Sequence, residues 1–154
     1  MSRLNRLLLV CVCTTLPALS YAALGGDSAS IAVDNKALAS SVSNVVTTTA
    51  SNSNYQMATI KTTDGHTINE YSVPNGGRVF CVTWHGRSYP DFKQILGSDA
   101  PQLKTATKSS QGLTSSNLNG NDFTFKMSGL PGNFSGVAYK PSLVPANVNV
   151  DSLK

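Results

Sequence analysis

Two tight-turn signals constrain the fold of this chain more than any other feature of its sequence. Asp64-Gly65 and Asn75-Gly76 each separate stretches in which apolar and polar residues alternate. Such dipeptides favour two-residue β-hairpin loops, and the alternation is typical of strands with one buried face. The sequence therefore predicts a three-stranded antiparallel meander over residues 55–62, 67–73 and 78–85.

Two-residue loops at both turns would fix which side chains of this meander share a face. In that register Glu70 lies opposite Cys81, and His66 lies opposite His85. One face would be almost entirely apolar and would form the core: Ala58, Ile60, Tyr71, Val73, Phe80, Val82 and Trp84. The other face would be mixed and partly covered: Met57, Thr59, Lys61, Ile68, Glu70, Ser72, Val79, Cys81 and Thr83.

A helix-start pattern follows the third strand. Ser88 is a candidate N-cap, Pro90 fits a first helical turn, Asp91 suits the positive end of a helix, and Gly97 is a stop signal. We expect this short helix to pack its apolar side chains on Trp84 and Phe80. The predicted structural core is Tyr71, Phe80, Val82, Trp84, Phe92, Ile95 and Leu96.

Weaker patterns complete the predicted domain. They indicate a modest helix over residues 99–108, a polar loop over 109–121, strands over 123–127 and 134–139, and an extended tail from Pro141. The predicted fold class is α+β, with a small antiparallel sheet of about five strands and one or two short helices packed on one face.

The start of the chain has the pattern of a secretory signal peptide. Arg3 and Arg6 precede an apolar run over residues 7–19, and Ser20-Tyr21-Ala22 places small residues before a cleavage point. The run is shorter than the roughly 20 residues that a membrane span needs. We therefore expect residues 1–22 to be removed, with the protein exported to the periplasm or the cell exterior and no transmembrane segment in the mature chain.

Removal of this segment would limit what the mature protein can be. Cys81 would be the one cysteine left of 3, which argues against a disulfide-stapled scaffold. Loss of two arginines would leave 10 basic against 8 acidic residues, too weak a charge to predict nucleic-acid binding. Residues 23–54 are rich in Ser, Ala, Thr and Asn, which predicts a largely flexible leader before a single domain over residues 55–154.

The chain resembles a bacterial family of short exported proteins catalogued as domain of unknown function twenty-eight forty-four. The resemblance implies no activity, cofactor or substrate. Cys81 stands where the family pattern suggests a small residue such as Ala, and Arg87 where it suggests Pro, so neither is expected to carry family chemistry. The matching residues are Ala23-Leu-Gly-Gly26, Glu70-Tyr71, Val79-Phe80, Val82, Trp84, Gly86, Pro90-Asp91, Leu96-Gly97, Gly136, Ala138-Tyr139 and Leu143-Val-Pro145.

Cys81 is a candidate nucleophile with no suitable base. The predicted register places Glu70 across from it, but a neighbouring carboxylate would raise the thiol pKa. His85, four residues along the same strand, would be about 13 Å away. A small, partly buried thiol is the simpler interpretation, and an intermolecular disulfide is the alternative.

His66 and His85 form a candidate metal site. Directly opposed strand residues place their Cβ atoms about 5 Å apart, which allows chelation, and Asp64 could add an oxygen ligand. Structural zinc takes four ligands and catalytic zinc three protein ligands, whereas the sequence offers two firm ones. An exposed histidine pair without metal is therefore the competing interpretation.

These observations favour a non-catalytic exported protein with a binding or structural role. The expected partner is an unknown envelope protein or surface component, and neither a nucleic acid nor a cofactor is expected. One alternative is a small hydrolase or metal-dependent enzyme that uses Cys81, Glu70 or the pair His66 and His85. A second alternative is a periplasmic metal-binding protein that depends on the two histidines alone.

Overall fold

The structure, a computed structural model, describes residues 24–28, 31, 46–48, 54–75, 77–104 and 116–153. The predicted signal peptide and most of the predicted leader lie outside these residues. The described strands form one antiparallel sheet in the order β1-β2-β3-β4-β7-β6-β5. They are β1 (Val46–Thr48), β2 (Gln56–Lys61), β3 (Thr67–Ser72), β4 (Val79–Gly86), β5 (Ser116–Asn119), β6 (Thr124–Leu130) and β7 (Asn133–Tyr139).

Short helical segments connect the two halves of the sheet. Helix α1 (Phe92–Leu96) is followed directly by a 3-10 segment, Gly97–Lys104. Asp91 is the N-cap of α1 and accepts hydrogen bonds from the backbone N–H groups of Lys93 and Gln94. The α+β class with an antiparallel sheet and a short helix is therefore correct, although the described residues form seven strands instead of about five. Asp91, and not Ser88, caps the helix.

The predicted register of the first hairpin is wrong by one residue. Lys61 pairs with Thr67, and the Thr62 N–H donates to the His66 carbonyl oxygen, which leaves a three-residue loop over residues 63–65. Gly65 adopts a φ of 89°, as in a three-residue hairpin loop that ends in a left-handed glycine. The extra loop residue moves Tyr71 from opposite Ala58 to opposite Met57.

The second hairpin starts in the predicted register and then departs from it. Ser72 pairs with Val79 as expected, but Tyr71 pairs with Cys81, so the ladder contains a β-bulge at Phe80. An extra residue in one strand shifts every pairing beyond it by one position. As a result Glu70 faces Val82 and not Cys81, and His85 faces Thr67 and not His66.

The two shifts place the predicted core residues on both faces of the sheet. Trp84 and Val82 belong to a cluster on what we call the first face, together with Ile95 and Leu96 of α1. Tyr71 and Phe80 belong to a separate cluster on the second face. The expectation that α1 packs on Phe80 is therefore wrong, whereas Phe92 of α1 does contact Trp84, with ring centroids 5.4 Å apart.

The C-terminal tail covers part of the second face. It contains two short 3-10 segments, Pro141–Leu143 and Val150–Ser152. Asp122 anchors its start by accepting hydrogen bonds from the Ser142 backbone N–H and hydroxyl. Apolar tail residues then pack on the cluster of Tyr71, Phe80 and Cys81: Leu143, Val144, Val148, Val150 and Leu153. The tail thus covers the second face around Tyr71 and Phe80, while α1 packs on the first face.

Two described parts of the predicted leader also contact the sheet. Leu24 is buried in the first-face cluster, and its N–H donates to the Ile95 carbonyl oxygen. Gly25 and Gly26 exchange backbone hydrogen bonds with Val79 at the start of β4. Strand β1, over Val46–Thr48, pairs with β2. The ordered unit therefore includes residues on the N-terminal side of position 55.

Candidate functional site

Cys81 lies inside the protein and not at an accessible site. It is fully buried, in contact with the cluster of Tyr71 and Phe80 on the second face. Burial in apolar surroundings raises the pKa of its thiol well above the usual range, because the thiolate would lose its hydration. The thiol is therefore held in its unreactive, protonated form.

Glu70 is also buried, but on the opposite face from Cys81. It lies between Ala58 of β2 and Val82 of β4 in the strand ladder. The predicted juxtaposition of Glu70 and Cys81 is therefore wrong, because the bulge at Phe80 turns the two side chains to different sides of the sheet. They cannot act as an acid–thiol pair in this fold.

The structure separates the two histidines that were predicted to face each other. His66 is buried and lies on the first face, whereas His85 is exposed and lies on the second face opposite Thr67. The metal hypothesis depended on His66 and His85 lying opposite each other, and this arrangement is not formed. Within the described residues, no group of three or more His, Cys, Asp or Glu side chains is placed to hold a metal ion.

His66 instead lies between Asp64 and Ser88. Its Nδ1 is 2.9 Å from the Asp64 carboxylate, and its Nε2 is 3.2 Å from the Ser88 hydroxyl and 2.9 Å from the Ser88 carbonyl oxygen. The Thr62 hydroxyl donates to the other Asp64 oxygen and accepts from the His66 backbone N–H. These contacts join the first hairpin loop to the segment before α1.

We call Asp64, His66 and Ser88 the Ser88 cluster, and its side chains differ in their exposure to solvent. The His66 side chain is 1 % exposed, whereas that of Asp64 is 64 % exposed. Hydrogen bonds from the Thr62 hydroxyl and then from the His66 ring lower the pKa of the Asp64 carboxyl. Gly86 makes room for the ring, since a Cβ atom there would lie 2.1 Å from His66 Cδ2.

No local sequence pattern indicates that Ser88 contacts His66. It lies 22 positions from His66, and its place before a helix gave it a simpler explanation as an N-cap. The sequence pattern explains Asp64 as a hairpin-turn residue that could also supply an oxygen ligand to a metal. The closeness of the three side chains depends on the three-residue loop and on the path of the chain after β4, which no local pattern encodes.

The second face carries an open groove where the tail does not cover it. The groove has a volume of about 670 Å³ and is lined by residues of β3 to β7 and by Leu153 of the tail. The register places polar side chains of five strands on this face: Thr67, Asn69, Thr83, His85, Asn117, Lys126, Ser128 and Ser135. This polar groove and the Ser88 cluster are the two candidate sites.

The charge of the polar groove is nearly balanced, because the lysine in its lining lies beside an acidic residue of the tail. Lys126 is partly exposed and lies 3.3 Å from Asp151 of the tail, while His85 is exposed near the centre of the sheet. Hydroxyl and amide groups make up most of the remaining polar lining. These groups can donate and accept hydrogen bonds to a polar ligand, and apolar side chains, among them Val137 and Leu153, line the groove beside them.

Comparisons with known proteins identify a family but no function. A family model described as "Protein of unknown function (DUF2844)" matches residues 20–153. No curated protein and no solved structure matches the chain. In the part of the chain that the structure describes, no helix has the length and apolar character needed to cross a membrane.

Proposed function

The chain belongs to the family described as "Protein of unknown function (DUF2844)", as its sequence resemblance predicted, and from that premise we propose that it is an exported binding protein. It acts in the periplasm or at the cell surface and holds a polar component of the envelope in the polar groove. The signal-peptide pattern of residues 1–22 supports export.

The polar groove is the observation that carries this proposal. A cavity of about 670 Å³ falls within the range of ligand sites, and its polar side chains come from rigid strands. Apolar tail residues cover the part of the second face around Tyr71 and Phe80, and the polar side chains of the groove lie together beside it. Such grouping supports recognition of a partner through hydrogen bonds.

The structure gives less support to the catalytic and metal-binding alternatives built on Cys81, Glu70 and the histidine pair. Cys81 is fully buried with a raised thiol pKa, and Glu70 lies on the other side of the sheet. His66 and His85 point to different faces. None of these arrangements brings two of the proposed groups to one accessible surface.

Capture of envelope components by matched variants tests the groove. The tagged protein is incubated with solubilised native envelope, and the retained components are compared for wild type, His85→Ala/Lys126→Ala and Lys93→Ala. Lys93 is exposed in α1, away from the groove, and controls for loss of one positive charge. We expect wild type and Lys93→Ala to retain a component that the double groove variant loses.

Two outcomes would reject the proposal. One is retention of the same components by all three proteins, which would place binding elsewhere. The other is the absence of any component enriched over a tag-only control. Localisation is tested separately: the protein should be found in the periplasmic or extracellular fraction, cleaved after Ala22, and an uncleaved cytoplasmic chain would contradict export.

A further inference from the structure

We propose that Ser88, His66 and Asp64 form an ester-hydrolysing site at the end of the first face. The Ser88 hydroxyl oxygen lies 3.2 Å from His66 Nε2, and His66 Nδ1 lies 2.9 Å from Asp64 Oδ2. A nucleophilic hydroxyl, an imidazole base and an orienting carboxylate at hydrogen-bond distances are the parts that acyl transfer requires. This inference does not depend on the polar groove, which lies on the other face.

The three groups differ in exposure in a way that suits this chemistry. Ser88 is exposed and can be reached by a substrate, whereas the imidazole ring is buried and held in one orientation. Thr62 fixes the carboxylate by donating to its second oxygen, and the ring packs against Gly86 of β4. The base is therefore positioned before any ligand binds, which reduces the entropy that must be lost on reaching the transition state.

The contacts also indicate which form of the ring is active. Nε2 lies 2.9 Å from the Ser88 carbonyl oxygen, which can only accept a hydrogen bond. When both ring nitrogens carry protons, they donate to this carbonyl and to Asp64, and the ring cannot act as a base. With its proton on Nδ1, which donates to Asp64, the neutral ring has a lone pair at Nε2 that can accept from the Ser88 hydroxyl.

An exposed aromatic surface beside Ser88 indicates the substrate class. Tyr89, the next residue, is 50 % exposed, and its ring centroid is 4.6 Å from that of Phe134. Aromatic side chains of this kind bury the apolar group of a ligand. Because the described contacts do not assign an oxyanion hole, esters with good leaving groups, such as aryl esters of short fatty acids, are the substrates we expect.

Hydrolysis of an ester at this site requires no reactant other than the ester and water. The Ser88 oxygen forms a bond to the ester carbonyl carbon while its proton passes to His66 Nε2. The carbon–oxygen bond to the leaving group then breaks, and the leaving group takes the proton from Nε2. Water attacks the resulting acyl-serine with the same base, which releases a carboxylic acid and restores the Ser88 hydroxyl.

Hydrolysis of p-nitrophenyl acetate and butyrate by the purified protein tests the site. Wild type should show saturable hydrolysis that is blocked by a fluorophosphonate attached to Ser88, as located by peptide mass spectrometry. Ser88→Ala removes the nucleophile and should lower kcat/KM at least as much as loss of a positioned general base, which contributes about 10²-fold or more. His66→Gln should lower it similarly, and Asp64→Asn should lower it less.

Matched controls separate this site from general surface reactivity. Ser98→Ala changes another exposed serine, and Lys93→Ala changes an exposed residue of α1 outside both candidate sites. Both should retain wild-type kcat/KM and labelling. Circular dichroism of Ser88→Ala confirms that the variant is folded. Fluorophosphonate labelling at residues other than Ser88, or undiminished hydrolysis by folded Ser88→Ala, would overturn the proposal, as would a wild-type rate equal to the buffer background.

Discussion

Gly136 is a residue at which a side chain of the first face packs directly on the backbone of the sheet. A Cβ atom at this position would lie 2.2 Å from Trp84 Cζ2 and 2.7 Å from the Lys126 carbonyl oxygen. Trp84 itself is 2 % exposed and is stacked on Phe125, with ring centroids 5.3 Å apart. The indole therefore lies across the backbone of β7, and only a glycine there leaves it room.

Gly136→Ala should accordingly destabilise the protein. The added methyl group must move either the buried indole or the backbone of β6, and overpacking of this kind costs about 1–3 kcal/mol. Urea unfolding followed by Trp84 fluorescence measures the free energy of unfolding. Ser135→Ala, at the neighbouring exposed position, should change it by less than about 0.5 kcal/mol. Equal stability of the two variants would contradict the packing described.

Asp64 should make the stability of the fold depend on pH in acid solution. The pKa of its carboxyl in the folded protein lies below the usual Asp value of about 3.9, because the Thr62 hydroxyl and then the His66 ring donate hydrogen bonds to the carboxylate. The ionised group therefore stabilises the fold above that value, and this contribution is lost as the pH falls through the lower folded pKa. The effect is under about 1 kcal/mol, because the side chain is largely exposed.

Urea unfolding between pH 2 and 7 tests the contribution of Asp64. Asp64→Asn should be less stable than wild type at pH 7, and the difference should shrink as the pH falls below about 4, where Asp becomes protonated. Asp122→Asn should give the same direction, since hydrogen bonds from the Ser142 side chain and backbone lower the pKa of that carboxyl. A constant difference across this range would mean that ionisation of Asp64 does not contribute.

At the scale of secondary structure, the sequence predicted where strands occur better than how they pair. The hairpin signals near Gly65 and Asn75 correctly separated β2, β3 and β4, and Gly97 correctly ended α1. The register failed because one loop has three residues instead of two and because β4 carries a bulge at Phe80. Both features add a single residue, and alternation alone cannot reveal them when both faces are partly apolar.

The glycine at the end of the first loop is expected to maintain this register. Gly65 has a φ of 89°, and a Cβ atom there would meet nothing within 4 Å, so any cost of substitution comes from the backbone conformation. Gly65→Ala should lower the free energy of unfolding by about 1 kcal/mol. Gly65→Asn should cost less, because Asn tolerates the left-handed region better.

Urea unfolding of the two Gly65 variants tests this prediction. The loop also positions Asp64 and His66. A change in its backbone geometry should therefore also change the positions of these two residues in the Ser88 cluster. An Ala variant as stable as wild type would mean that the loop adopts another conformation in solution. An Asn variant less stable than the Ala variant would contradict the left-handed geometry at Gly65.

At the scale of the whole molecule, the sheet is a central layer with different cover on each face. The first face is closed by α1, the following 3-10 segment and Leu24. The second face is closed by the C-terminal tail over Tyr71 and Phe80 and is open at the polar groove. The sequence predicted that the tail lies along the surface, but not that it covers apolar strand residues. In the predicted register Tyr71 lay on the same face as Trp84, so the second face had no aromatic cluster for the tail to cover.

Removal of the tail should therefore expose a thiol that is otherwise protected. Cys81 is fully buried beneath this cluster, so in the intact protein it should react with a thiol reagent only when the protein unfolds. A chain that ends at Pro145 keeps the Asp122 anchor at Ser142 but lacks Val148, Val150 and Leu153. In that chain Cys81 should react with dithionitrobenzoate much faster than in the intact protein at the same pH and temperature.

Trp84 fluorescence shows whether the shortened chain is still folded, because the indole belongs to the cluster on the opposite face. A native emission spectrum together with fast thiol modification would mean that the tail shields the second face while the rest of the sheet stays formed. Fast modification with an unfolded spectrum would mean that the tail is needed for the sheet itself, as expected if burial of Tyr71 and Phe80 contributes several kcal/mol. A folded shortened chain in which Cys81 stays unreactive would show that the tail is not the cover of this face.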